Sequence, residues 1–143
     1  MPLRIVLDTN TVISALLWGG KPGRVLNAVY SHHAKLCASP FLLREFSRTL
    51  AKRKFEERLN VLQASHAALE NHYQKLVAVI EPEFVPEVIL SHPPDNHILA
   101  CALKAKADVI VSGDAHLKAL KSYMGIPIVN SAGFLAEYLP PEK

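Results

Sequence analysis

Short runs of consecutive apolar residues alternate along this chain with longer stretches in which apolar residues return every three to four positions. The runs mark strands at residues 4–7, 35–38, 77–80, 109–111 and 126–129, the first two with a basic residue, Arg4 or Lys35, ahead of the apolar run. Unbroken apolar runs this short predict strands buried on both faces. The stretches between them predict helices. One covers residues 12–18 and stops at Gly19-Gly20, and the next starts at Lys21-Pro22-Gly23 and runs to about Tyr30. Ser39-Pro40 is a start signal, an N-cap with proline at the first helical position. Leu42, Leu43, Phe46 and Leu50 then recur at helical spacing to about Lys54.

Residues 56–75 predict one further helical stretch, and residues 83–94 a proline-rich irregular segment with a brief strand at 88–90. Helices follow at 95–106 and 115–120, and Ser131 is expected to cap a last one reaching about Tyr138. Strands alternating with helices imply an α/β fold with a parallel sheet covered on both faces and right-handed crossovers. Ligands in such sheets bind beyond the carboxyl ends of the strands, where strand order reverses. A reversal between the first and fourth strands would bring Asp8 and Asp114 to one crevice.

Composition narrows the class. Half of the 143 residues are hydrophobic, enough for one domain with a sizeable core and too many for disorder. A single domain over residues 1–143 is expected. No apolar stretch approaches the roughly 20 residues that cross a bilayer. Met1-Pro2-Leu3-Arg4 leads straight into a strand-like run without the apolar core of a signal peptide, so a cytoplasmic location is expected. Cys37 and Cys101 sit among apolar residues and are expected as buried free thiols. The formal charge of +3 permits a polyanionic partner without requiring one.

The chemistry lies in four acids at element ends: Asp8, Glu45, Asp95 and Asp114. Each has an ordinary reading as well. Asp8, in Asp8-Thr9-Asn10, caps a helix or binds metal at a strand's end, with Asn10 positioning ligands or substrate. Glu45 is a solvated helix residue or a ligand. Asp95 shares a helix face with Leu99 and Ala102, so it is either a first-turn acid favoured by the helix dipole or a ligand aimed inward. Asp114, after Ser112-Gly113, caps a short helix or binds metal, with the Ser112 hydroxyl in support. Gathering uncompensated carboxylates is costly without a cation. Mg²⁺ and Mn²⁺ prefer six oxygen ligands, several of them water. Such an ion activates water for in-line attack on a phosphodiester.

Other residues are weaker candidates. His92, His97 and His116 lie near the acids and are candidates to touch phosphate or assist a leaving group. Lys52, Arg53 and Lys54 form the densest positive patch, read either as a solvated helix end or as an RNA-binding edge. Trp18 is expected to pack, within the chain or at a subunit interface.

These pieces in order resemble the PIN-domain family, of the compact prokaryotic type grouped with VapC-like toxins. The matching segments are Ile-Val-Leu-Asp-Thr-Asn at 5–10, Ser-Pro-Phe-Leu-Leu-Arg-Glu-Phe at 39–46 and Pro-Pro-Asp-Asn-His-Ile-Leu-Ala-Cys-Ala-Leu at 93–103. Ala-Asp-Val-Ile-Val-Ser-Gly-Asp at 107–114 and Gly-Ile-Pro-Ile-Val at 125–129 complete the set. The resemblance implies a three-layer α/β/α sandwich with a parallel sheet in the order 3-2-1-4-5. It implies an endoribonuclease dependent on Mg²⁺ or Mn²⁺, with Asp8, Glu45, Asp95 and Asp114 as catalytic and metal-binding acids and Thr9, Asn10 and Ser112 in support. Similar proteins often form homodimers or higher homo-oligomers, and in toxin–antitoxin pairs a small antitoxin protein blocks the nuclease. This chain departs from the pattern just before Asp95, where relatives often carry further acids and it has His92 and Pro94. Fewer outer ligands and weaker metal binding are the expected consequence.

Two other functions compete. A phosphatase using Asp8 as nucleophile needs an acid two residues on, where Asn10 cannot transfer a proton. A non-catalytic module that binds RNA or protein is the other alternative.

Overall fold

The computed structural model describes residues 2–139, so the expected domain of residues 1–143 extends at both ends beyond the described residues. The core strand β1 (Leu3–Leu7) pairs in parallel with β2 (Ala34–Ala38) on one side and β4 (Val109–Val111) on the other. Beyond β2 lies the two-residue β3 (Ala78–Val79). Beyond β4 lies β6 (Ile126–Val129), also parallel. The outermost strand, β5 (Ser122–Tyr123), runs antiparallel to β6. The sheet order is β3-β2-β1-β4-β6-β5. The five strands expected from the sequence thus keep the order 3-2-1-4-5, but the sheet is mixed rather than parallel.

The added strand is too short for a hydrophobic run to reveal it. It exists because Met124 and Gly125 turn back with φ of 50° and 83°. A hairpin turn with both central residues at positive φ matches the twist of the strands it joins.

Burial of β1 and β4 explains their composition. Ile5, Val6, Val109, Ile110 and Val111 are wholly inaccessible to solvent. Helix α6 (Asn96–Ala105) packs across β1, β2 and β4, and its residues Leu99, Cys101 and Ala102 are fully buried. Helix α1 (Thr9–Leu17) packs against α2 (Gly20–Tyr30) and against α3 (Pro40–Leu50). The result is an α/β sandwich. Cys37 and Cys101 are buried and free, as expected.

Several local expectations are corrected. The helical stretch expected over 56–75 is two helices, α4 (Glu56–Leu62) and α5 (His66–Leu76). Gln63 is left-handed at φ 53°, which ends the first, and the Ser65 side chain caps the second by accepting from Ala68 N–H at 3.0 Å. Helix α3 ends at Leu50, and residues 53–55 form a separate 3-10 turn. No strand forms at 88–90. Helix α7 spans Ala115–Leu120. The last helix, α8 (Ser131–Glu137), is capped by Asn130 and not by Ser131: the Asn130 Oδ1 accepts from Gly133 N–H at 2.8 Å. Trp18 is 54% exposed in the single chain, with the Phe55 ring centre 6.1 Å and the Arg58 guanidinium 5.7 Å from its ring centre.

Candidate functional site

Strand order reverses between β1 and β4, because the chain goes from β1 outward through β2 and β3 and then returns to the other side of β1. The carboxyl ends of these two strands therefore open into a crevice. Their register is Ile5 with Val109, Val6 with Ile110 and Leu7 with Val111, which sets Asp8 beside Ser112. Asp8 N–H donates to Val111 C=O at 3.3 Å and extends the pairing by one residue.

Each acid is held by its local structure. Asp8 is buried and caps α1: its Oδ1 accepts from Thr11 N–H at 2.8 Å, and its Oδ2 accepts from the Ser112 hydroxyl. Ser112 is fully buried, and its Oγ also accepts from Asp114 N–H at 3.0 Å. Asp114 caps α7 through Oδ1, which accepts from His116 N–H at 2.8 Å and Leu117 N–H at 3.1 Å. Glu45, half-buried on α3, accepts from the Thr9 hydroxyl. Capping and ligation were opposed readings of the sequence. A capping carboxylate still has unused lone pairs, so the two are compatible.

Asp95 closes a 3-10 turn, Pro93–Asp95, immediately before α6. The neighbouring Asn96 is not a simple cap. Its buried side chain fastens the irregular segment to α6: Oδ1 accepts from Val88 N–H at 3.1 Å and Ile89 N–H at 2.8 Å. Its Nδ2 donates to Ile89 C=O at 2.9 Å and Pro93 C=O at 3.0 Å. All four hydrogen-bonding positions of one amide are thus used to set the turn that carries Asp95.

Asp8, Glu45, Asp95 and Asp114 all line one pocket of about 200 Å³, together with Thr9, Asn10, Thr49, Lys52, Lys54, His92 and Ile98. Of the expected RNA-binding residues, Lys52 and Lys54 reach this pocket, whereas Arg53 is exposed and does not line it. A larger groove of about 690 Å³ continues past Asp8, Asn10 and Asp114 to Lys21 and Ser131.

The electrostatics mark Asp95. Burial, opposed by the neighbouring His92 and assisted by the Asp114 charge, pushes its pKa up to about 6. For Asp114, burial raises the pKa, but hydrogen bonds from Leu117 N–H, Asp95 and His116 N–H outweigh it and hold it below the usual carboxylate value. This is the behaviour of two carboxyls that share a proton when no cation is present. Asp95 Oδ2 is buried and accepts no hydrogen bond among the described residues. His92 Nδ1 lies only 3.0 Å away, an ion pair when the imidazole is charged, but it is not aligned to donate to that oxygen. A buried carboxylate oxygen without a donor is a position that a cation fits.

The histidines were underrated in the sequence. Among the described residues, His92, Asp95 and His116 form a cluster whose Nδ1, Oδ2 and Nδ1 atoms lie within 4.8 Å of one another and could chelate a divalent metal. A signal existed: one histidine precedes Asp95 by three residues and the other follows Asp114 by two. His97 turns elsewhere and stacks on Phe41, with ring centres 3.4 Å apart.

The PIN domain family profile matches residues 4–116. No curated protein matches the chain. Three crystal structures resemble it along 90% of its length and 98% of theirs. They are VapBC2 from Rickettsia felis bound to a DNA fragment from its promoter, FitAcB from Neisseria gonorrhoeae and DNA-bound VapBC from Salmonella typhimurium. Their identities to this chain are 15%, 20% and 17%, with TM-scores of 0.64, 0.59 and 0.56. At these identities the likeness is one of fold. The chain belongs to the PIN-domain family and shares its fold with the VapBC and FitAcB structures.

Proposed function

We propose that this PIN-domain chain is an endoribonuclease that hydrolyses RNA phosphodiesters with Mg²⁺ or Mn²⁺, held by Asp8, Glu45, Asp95 and Asp114. The observation that carries the reading is the meeting of these four acids in one pocket, one of them with a buried oxygen that accepts no hydrogen bond among the described residues. A divalent ion there supplies Lewis acidity toward water and a phosphate oxygen. The protein's part is positioning. Ser112 and Thr11 fix the Asp8 carboxylate, and Thr9 fixes Glu45. Lys52 and Lys54 at the pocket's edge offer charge to the phosphate backbone. Asn10 is exposed at the join of the pocket and the larger groove, where its amide can meet substrate.

The partner expected from the family resemblance is a small antitoxin protein, with this chain as the toxin of the pair and a homo-oligomer as its assembly. No described helix is long and apolar enough to cross a membrane.

The test is cleavage of varied RNAs by purified protein with Mn²⁺ or Mg²⁺, beside EDTA and an Asp95→Asn variant. Metal-dependent cutting that disappears in the variant supports the reading. RNA binding indifferent to EDTA and to Asp8→Asn, with no cutting, supports the non-catalytic binding module instead.

A further inference from the structure

We propose that His92, Asp95 and His116 form a nitrogen-bearing cation site that takes a borderline-soft divalent ion of the Zn²⁺ or Co²⁺ class in preference to Mg²⁺. The inference rests on the metal-centre part of the function above and is independent of RNA hydrolysis.

The site is assembled by two crossovers. His92 and Asp95 flank the 3-10 turn Pro93–Asp95, and side chains three residues apart eclipse one another in that geometry. Their Nδ1 and Oδ2 atoms are accordingly 3.0 Å apart. His116 arrives from the first turn of α7, with its Nδ1 at 4.0 Å from the same Asp95 oxygen and 3.5 Å from Asp114 Oδ1. The two imidazoles lie nearly parallel, 9° between planes and 5.7 Å between centres. Ligand atoms that share one ion at about 2.1 Å stand roughly 3.0–3.4 Å apart. A small rotation of His116, which is nearly half exposed, closes the remaining gap.

A second observation points the same way. Asp95 Oδ2, the atom both imidazoles approach, is buried and accepts no hydrogen bond among the described residues. The His92 Nδ1 lies within ion-pair distance of that oxygen at 3.0 Å but leaves it open to a further partner. Carboxylate and water suit Mg²⁺, whereas imidazole suits zinc and its neighbours in the transition series. Two nitrogen donors therefore change which ion the centre prefers.

The experiment titrates the metal-free chain with Co²⁺, followed by its visible absorption, and separately with Mg²⁺ by calorimetry. His92→Gln and His116→Gln should each weaken Co²⁺ binding about tenfold or more and shift the absorption toward all-oxygen ligation. Mg²⁺ affinity should change far less than Co²⁺ affinity. A double variant with wild-type Co²⁺ affinity and spectrum would overturn the site and leave the histidines as simple partners of Asp95. Imidazole ¹⁵N spectra of the wild-type chain give an independent reading. Zn²⁺ should move the Nδ1 signals of His92 and His116, and unmoved signals would overturn the proposal too. Wild-type cleavage of RNA in Mg²⁺, assayed alongside, separates the two ideas: no cleavage sinks the nuclease reading while the Co²⁺ result stands.

Discussion

The Ser112 hydroxyl donates to Asp8 Oδ2 across 104 residues of sequence, and both groups are buried. Because Ser112 Oγ also accepts the Asp114 N–H, one hydroxyl ties the end of β1 to the turn that carries Asp114. Ser112→Ala removes that tie while leaving every carboxylate in place. It is expected to weaken Mn²⁺ affinity by about 10–100-fold, as loss of a group that orients a ligand does. Calorimetry of Mn²⁺ binding checks this, and Ser112→Thr should recover part of the loss. An unchanged affinity would mean that Asp8 is oriented without Ser112.

Thr9 stands in the same relation to Glu45. Thr9→Val is expected to lower RNA cleavage less than Glu45→Gln does, because the first loosens the carboxylate and the second removes its charge. Initial rates of the two purified variants at saturating Mn²⁺ give the order. A Glu45→Gln rate equal to that of the wild-type chain would place Glu45 outside the reaction.

Asn96 is predicted to be the costliest polar side chain to remove. Its buried amide satisfies the N–H groups of Val88 and Ile89 and the carbonyls of Ile89 and Pro93. Each buried group left unsatisfied costs about 1–3 kcal/mol. Asn96→Ala should therefore lower Tm by several degrees and loosen the turn bearing Asp95, seen as faster hydrogen exchange at Val88 and Ile89. A Tm equal to wild type would show that water or a local shift replaces the amide.

The metal-free chain should be stabilised by acid over a defined window. Asp95 has a folded pKa of about 6, above its ordinary 3.8, so the folded state holds a proton there that the unfolded state releases. The contribution is present in full below about pH 4 and is lost as pH rises through about 6. Asp114 is shifted the other way, and its contribution is lost only as pH falls below the ordinary carboxylate range. Urea denaturation between pH 4 and 7 should show stability falling with pH relative to Asp95→Asn, in which the Asp95 contribution is absent. Parallel curves for the two proteins would refute the shift.

Lys52 and Lys54 line the pocket, and Arg53 does not. Lys52→Gln with Lys54→Gln should weaken RNA binding and flatten its dependence on salt, by roughly 0.7 in slope for each single-strand phosphate that is no longer neutralised. Arg53→Gln should do less. Fluorescence anisotropy at several salt concentrations distinguishes the two, and identical slopes would remove the patch from the substrate path.

What the sequence determined by itself is what local physics writes into it. Short apolar runs marked β1, β2, β4 and β6, since the part of a strand covered on both faces has little place for polar residues. Ser39 and Pro40 announced α3 because a cap and a proline are local signals. The positions of the acids at element ends were likewise legible, whereas the strand order came from the resemblance to the family. Tertiary structure decided the rest. A two-residue edge strand carries too little pattern to be read, and its hairpin depends on two residues at positive φ. The break at Gln63 has no glycine or proline to announce it. The four-bond role of Asn96 needs a loop folded back onto it. Above all, the approach of His92 and His116 to one Asp95 oxygen comes from strand order bringing two crossovers together, and distance between side chains remote in sequence is a property no linear pattern contains.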